Sequence, residues 1–395
     1  MNSMTEKRKH NPWLSVIAVA LGAFSLIIAE FLPVGLLPEI SRELGITEGR
    51  AGLMVSITGL LAAIGAPVTA IMIGRLDRRF VLVGFTLLQV ISCLLSAYSQ
   101  SFMVMMVARV FLGFSVGGFW AISIATGARL VPKNKMAQAV AVITGGISIA
   151  TIISVPAGTL IASMFNWRIA FIASAVLGIL VLFIQILWLP KLTTENALGL
   201  SGFFGVLRNR KLHIVLLYSI FAFGGHFASY TFVTPFFQQI TVFSTLAISI
   251  LMLAYGIMGV LGNLLGGITA SRNFHGTQIT VTILFSVALL TLALFGQFQI
   301  VASGALLLWA LAFGIIPLSA QLWVQYTSPE APEGAQAMAT AITQLAISLG
   351  AFVGGVAVDN MGLKAAMALG AILGILALGM IFVAREDKKK VEASD

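Results

Sequence analysis

The sequence predicts an all-α polytopic membrane protein: twelve transmembrane helices in two six-helix halves. Three observations carry this. The 395 residues are 59% hydrophobic and only 9% charged, with a mean hydropathy of +1.02. An ordinary soluble domain is about 25% charged, and no soluble fold of this length hides so much apolar surface. The apolar residues fall into twelve runs, each near the ~20 residues that a tilted spanning helix needs. Lys and Arg collect on alternate connections between the runs.

The runs read 13–37, 50–73, 80–97, 102–129, 137–162 and 168–190, then 212–237, 243–269, 277–296, 299–326, 335–358 and 363–384. The first is expected to be a span, not a removed signal peptide, because no small-residue cleavage site follows it. Most connections are very short, so neighbouring helices are antiparallel partners. The longest, 191–211, is polar and basic. It divides the chain into 1–190, a cytoplasmic central loop, and 212–395 with a short cytoplasmic tail.

Orientation follows from the cations. With a cytoplasmic N-terminus, the inner side collects Lys7, Arg8 and Lys9, then Arg75, Arg78 and Arg79, then Arg129, Lys133 and Lys135. Lys191, Arg208, Arg210, Lys211, Arg272, Arg385 and Lys388 to Lys390 add to it, against Arg42, Arg50, Arg168 and Lys364 outside. This asymmetry places both termini in the cytoplasm.

The halves repeat weakly. Ala137-Gln-Ala-Val-Ala-Val-Ile-Thr144 resembles Ala335-Gln-Ala-Met-Ala-Thr-Ala-Ile-Thr343, and Ile147-Ser148 matches Ile347-Ser348. Repeated halves are the plan of many secondary carriers, which hold substrate near the midplane between them.

Several classes are disfavoured. The net charge of +9 is explained by topology and does not indicate nucleic-acid binding. Cys93 is alone in an apolar run and reads as an inert core thiol. No Gly-x-x-x-x-Gly-Lys-Ser/Thr loop exists to bind ATP. No nucleophile–base pair sits in the spans, no His, Cys and carboxylate cluster has metal spacing, and no soluble output domain marks a sensor.

The chemistry centres on Glu30, flanked by Ile27, Ile28, Ala29, Phe31 and Leu32. A carboxylate in the hydrocarbon layer costs at least ~2.5 kcal/mol, so it normally faces a bundle interior or water and has a function. Arg109 is the basic residue deep inside a span and needs an acceptor. Each lies about seven residues, ~10 Å of rise, from the outer end of its run. A shared depth allows a direct or water-bridged pair; the alternative is Arg109 bonded to backbone carbonyls. Gly113 and Gly117, four apart, let a neighbouring helix come close.

Other intramembrane polar and aromatic residues are candidates for a substrate pocket. His226 and Tyr230 share a helix face, with Asn263, Gln321, Trp323 and Gln344 on later spans. Phe119 and Trp120 offer flat surfaces for stacking. A lone membrane His is more often a helix–helix hydrogen bond than a proton carrier. Asp359 ends a helix on the outer side and is expected to be solvated. The basic turn Arg75-Leu-Asp77-Arg78-Arg79 can hydrogen-bond the end of a neighbouring span, or serve only as a topology signal.

These motifs resemble a family. Arg109-x-x-x-Gly113-x-x-x-Gly117 resembles the fourth-span motif of major facilitator superfamily (MFS) transporters that is linked to proton transfer. Asn166-Trp167-Arg168-Ile-Ala-Phe171 resembles the Gly-Trp-Arg-x-x-Phe signature of the twelve-span drug:proton antiporters. Pro156-Ala-Gly158 resembles the core of the antiporter motif, although Thr151, Val155 and Thr159 replace its flanking glycines. The loop departs from Gly-x-x-x-Asp-Arg-x-Gly-Arg-Arg, with Gly74 for the Asp and Asp77 for a Gly. Bacterial sugar-efflux and purine-nucleoside-efflux members are similar in this variant. They also resemble this chain at Glu30 to Leu37, at Gly117 to Ala121 and at Val358 to Gly362.

The resemblance implies the MFS fold in a bacterial inner membrane, acting as a monomer and driven by the proton gradient with no cofactor. It implies proton coupling by Glu30 and Arg109 and a conformational role for Arg75, Asp77, Arg78, Arg79, Pro156 and Gly158. The expected function is proton-coupled efflux of a small polar molecule, purine nucleosides first, with sugars or chloramphenicol-like drugs as alternatives. The mostly neutral amide and aromatic candidates suit a neutral, planar, polar ligand better than a cation.

Overall fold

The computed structural model describes residues 11–72, 76–192, 206, 209–328, 330 and 332–392. Arg75, the three N-terminal cations, Arg208 and most of the central loop lie outside the described residues. Within them the chain is all helical, and twelve helices are long and apolar enough to cross a membrane.

The first half contains α1 (Pro12–Leu44), α2 (Glu48–Met72), α3 (Arg78–Ala97), α4 (Phe102–Arg129), α5 (Met136–Met164) and α6 (Trp167–Trp188). The second contains α7 (Arg210–Tyr230), a short α8 (Val233–Gln239), α9 (Thr245–Arg272), α10 (Phe274–Phe295), α11 (Gln299–Thr327), α12 (Pro332–Met361) and α13 (Leu363–Glu392). Polar residues between the runs start the helices. Asn11, Asp77, Asn166, Asn209 and Asn273 each accept a hydrogen bond from a first-turn N–H of the helix that follows, satisfying donors that no helix can pair internally. Gly45, at φ 62°, ends α1 in the left-handed conformation.

Two elements differ from the sequence reading. The first run was expected to end at residue 37, but α1 continues to Leu44 through Pro33 and Pro38. A membrane helix tolerates an internal proline when neighbours re-satisfy the freed backbone groups. The run 212–237 is instead broken. Here α7 stops at Tyr230 and α8 begins at Val233, with Pro235 in its first turn, where a missing N–H costs nothing.

The packing repeats between the halves. In the first, α1 packs on α5 and α6, α2 on α4, and α3 on α4 and α6. In the second, α7 packs on α12 and α13, α9 on α11, and α10 on α11 and α13. The halves meet along two seams, α2 with α12 and α5 with α9. Glycines let each of these pairs come close. A Cβ on Gly59 would lie 3.0 Å from the Gln344 carbonyl oxygen, and one on Gly256 would lie 2.6 Å from Ile152 Cα. Such approaches give helices dispersion contacts that bulkier side chains would block.

Gly350 sits against the backbone of Gly224 between α12 and α7, with no room for a Cβ. Gly350→Val should therefore lower stability by about 1–3 kcal/mol, seen as a reduced melting temperature in detergent. Gly379→Val, on a face with open space beside it, should leave the melting temperature unchanged.

Candidate functional site

Glu30 lies near the middle of α1 and is 5% exposed. Its carboxylate lies near the Gln344 side chain of α12, in the other half. Gln344 Nε2 makes no hydrogen bond within ordinary reach, so the amide faces the acid without being tied to it. Phe31, the next residue, stacks on Phe227 of α7 at 5.8 Å and meets Tyr230 edge-on at 6.5 Å. The turn of α1 that carries the acid thus touches the other half on both sides.

Arg109 is fully buried, and it does not form an ion pair with Glu30. Its Nη1 donates to the Ala29 carbonyl at 3.3 Å and Nη2 to Ser96 Oγ at 2.8 Å. The guanidinium also lies 4.9 Å from the centre of the Phe171 ring. The Ala29 carbonyl is special. Its ordinary helical donor would be the N–H of residue 33, and residue 33 is proline. Arg109 supplies the donor that Pro33 lacks. Ala29 and Glu30 are 100° apart around α1, so the carbonyl faces α4 while the carboxylate faces the seam. The two residues share a depth, but the direct pair allowed by that depth is replaced by the backbone-carbonyl alternative.

His226 and Tyr230 form the centre of an aromatic cluster. The His226 ring stacks 3.3 Å from Phe313 and 5.0 Å from Tyr230, and Trp309 Nε1 donates to its Nδ1 at 3.1 Å. Tyr255 of α9 lies 5.4 Å from Tyr230 and 5.6 Å from Trp309, and its hydroxyl is buried without a partner. Sequence reasoning missed Phe31, Tyr255, Trp309 and Phe313. The i, i+4 spacing of Trp309 and Phe313 on α11 was the available signal.

The remaining candidates separate. Phe119 is buried inside the first half against Gly22, and packs as core. Trp120 is half-buried beside Phe24, Ile28 and Ile147. Trp323 sits with Tyr218 at 5.3 Å, fourteen residues along α11 from Trp309 and so ~20 Å from that cluster. Asn263 and Gln321 are exposed. Gly158, beside Pro156, brings α5 against Leu32 of α1: a Cβ there would lie 2.9 Å from Leu32 Cδ1.

In the α2–α3 turn, Asp77 Oδ1 accepts from Arg79 N at 3.0 Å and from Leu192 N at 2.9 Å. Arg78 N donates to the Leu192 carbonyl, and Arg79 Nη2 to the Ile186 carbonyl at 2.6 Å. The turn holds the end of α6 and the first residues of the central loop. At the opposite end, Glu43 accepts from Trp167 Nε1 at 2.5 Å and pairs with Arg168. Arg168 also donates to the Ser99 carbonyl. The Trp167-Arg168 motif therefore ties α1, α3 and α6 into one unit.

Pro33→Ala restores an N–H to the Ala29 carbonyl, so it should relieve the need for Arg109. Arg109→Ala alone should destabilise the protein, and the loss should be smaller by about 1–2 kcal/mol in the Pro33→Ala background. A double-mutant cycle of denaturation midpoints checks this; additive effects would separate the two residues.

The Major Facilitator Superfamily model matches residues 19–351. The purine ribonucleoside efflux pump NepI of Escherichia coli K12 is 33% identical over 378 residues, 96% of this chain and 95% of that protein. The NepI pump of Shigella flexneri is similar to the same extent. Among solved structures, a D-xylose–proton symporter superposes with a TM-score of 0.77 at 18% identity, over 93% of this chain and 97% of that one. The nucleoside transporter NupG superposes at 0.74 and 15% identity, over 95% and 99%. Twelve spans and these relatives make the protein a multi-pass transporter of a bacterial inner membrane, and the chain belongs to the Major Facilitator Superfamily.

Proposed function

We propose that the chain is a proton-coupled antiporter that exports purine nucleosides. The observation that carries this reading is Glu30, a carboxylic acid buried at the meeting of the two halves and facing Gln344 across the seam. It sits in a chain 33% identical to a purine ribonucleoside efflux pump.

The cycle uses the acid as a mobile charge. With the cavity open outward, Glu30 takes a proton. The neutral acid passes through the occluded state without the cost of carrying a charge through the hydrocarbon layer. With the cavity open inward, substrate and Gln344 compete for hydrogen bonds to the acid, and the proton leaves to the cytoplasm. Export then needs no cofactor beyond the proton gradient. Arg109 holds the Ala29 carbonyl and fixes the turn on which Glu30 stands.

The ligand chemistry supports a neutral, planar molecule. Tyr230 and Tyr255, whose rings meet at 5.4 Å, supply aromatic surface for stacking a base. Tyr255 Oη and Gln344 Nε2 are buried polar groups with hydrogen bonds to offer.

In proteoliposomes, Glu30→Gln should abolish nucleoside transport driven by a pH gradient while guanosine exchange persists, since exchange moves no net proton. Overexpression of the native chain should protect cells against 6-mercaptopurine riboside. Normal gradient-driven transport by Glu30→Gln would remove the coupling role. Unchanged sensitivity to the riboside, with raised tolerance of a lipophilic cation, would replace nucleosides by drugs.

A further inference from the structure

The two halves are bonded to each other at the end that carries the α1–α2 loop. Asp359, near the end of α12, accepts from Thr47 Oγ1 at 2.7 Å and from Gly49 N at 3.0 Å. Thr47 precedes α2, and its Oγ1 accepts from Arg50 N at 3.2 Å. Asp359 therefore caps the N-terminus of a helix that belongs to the other half, where exposed N–H groups and the helix dipole both favour a carboxylate. The expectation that Asp359 is merely solvated is corrected: it is exposed, yet bonded across the seam.

Backbone contact backs the bond. Gly49 and Gly355 touch so closely that a Cβ on Gly355 would lie 2.7 Å from the Gly49 carbonyl oxygen. Alongside, Gln239 of α8 donates to Glu48 at 2.6 Å, and on the second seam Thr159 of α5 bonds Ser249 of α9 at 2.7 Å. Further along that second seam the halves part. Ile152 meets Gly256, but two turns on, a Cβ at Gly145 would meet nothing and Asn263 is exposed. The structure is closed at the α1–α2 end and parted towards the other.

The hold is limited by its own surroundings. Glu48 stands in the same first turn of α2 and repels the Asp359 carboxylate. A cap of this kind, opposed by a like charge, holds without locking.

We propose that Asp359 is the catch that keeps the α1–α2 end shut: the exchange to the oppositely open state requires its bonds to Thr47 and Gly49 to break. This assignment does not depend on which substrate is carried.

The test is the distance between spin labels in the purified full-length chain, in a Cys93→Ser background. Met164→Cys and Leu246→Cys place labels on exposed positions at the ends of α5 and α9, one turn beyond the Thr159–Ser249 bond and away from the catch. The native chain should give mainly the short distance. Asp359→Ala should raise the ratio of long to short distances about fivefold, and Gly355→Leu, which wedges the same seam, should raise it at least as far. Asn360→Ala, on the neighbouring exposed residue, should leave it unchanged. An unaltered distribution in Asp359→Ala would overturn the proposal, and if Gly355→Leu alone opened that end, closure would rest on packing. An equal shift in Asn360→Ala would also overturn it, since any change at that helix end would then suffice.

Discussion

A guanidinium with no water around it must be given acceptors, and the first half is arranged to give them. Arg109 reaches the Ala29 carbonyl, the Ser96 hydroxyl and the face of Phe171, on α1, α3 and α6 respectively. An unpaired buried charge would cost several kcal/mol, so these three helices are fixed relative to α4 by one side chain. The arrangement depends on Pro33. By removing the N–H that would occupy the Ala29 carbonyl, it leaves an acceptor in the middle of a spanning helix. The next residue is Glu30. The carbonyl that accepts from the structural cation and the seam-facing acid thereby sit on adjacent residues of one helix.

The same half is closed at both ends by polar ties. Glu43, Trp167, Arg168 and the Ser99 carbonyl join α1, α6 and α3 at one end. Asp77 and Arg79 join the α2–α3 turn to the end of α6 at the other. The half therefore has the rigidity that a rocking motion needs, and the contacts free to change are those across the seams. There glycines make the approach, as at Gly49 with Gly355 and at Gly256 against Ile152. A glycine offers no side chain to interlock, so such contacts can separate without disrupting either half.

Much of this was legible in the sequence because membrane physics writes it in composition. Twelve apolar runs gave the spans, whereas the caps Asn166, Asn209 and Asn273, although their residue type favours helix starts, came only with the structure. The apolar run stops at residue 37, before Pro38 and Glu39, but α1 continues to Leu44, because hydrophobicity marks the membrane-crossing length and not the end of the helix. The break after Tyr230 was hidden by the apolar residues on both sides of it. The importance of Glu30 and Arg109 was visible as charge at depth, whereas their partners were not. Depth depends on residue number, but a partner depends on which way a side chain leaves the helix, and 100° per residue separates Ala29 from Glu30. Asp359 shows the same limit: its position at a helix end was readable, while Gly49, in the helix it caps, lies 310 residues away in sequence.

The account stands on Glu30 being the group that exchanges a proton when substrate binds. Calorimetric titration of the purified protein with guanosine, repeated in buffers of differing ionisation enthalpy, reads that exchange directly. The native chain should show a binding enthalpy that changes with the buffer, reporting a proton released to it, and Glu30→Gln should bind with an enthalpy independent of the buffer. An equal buffer dependence in both proteins would contradict the account.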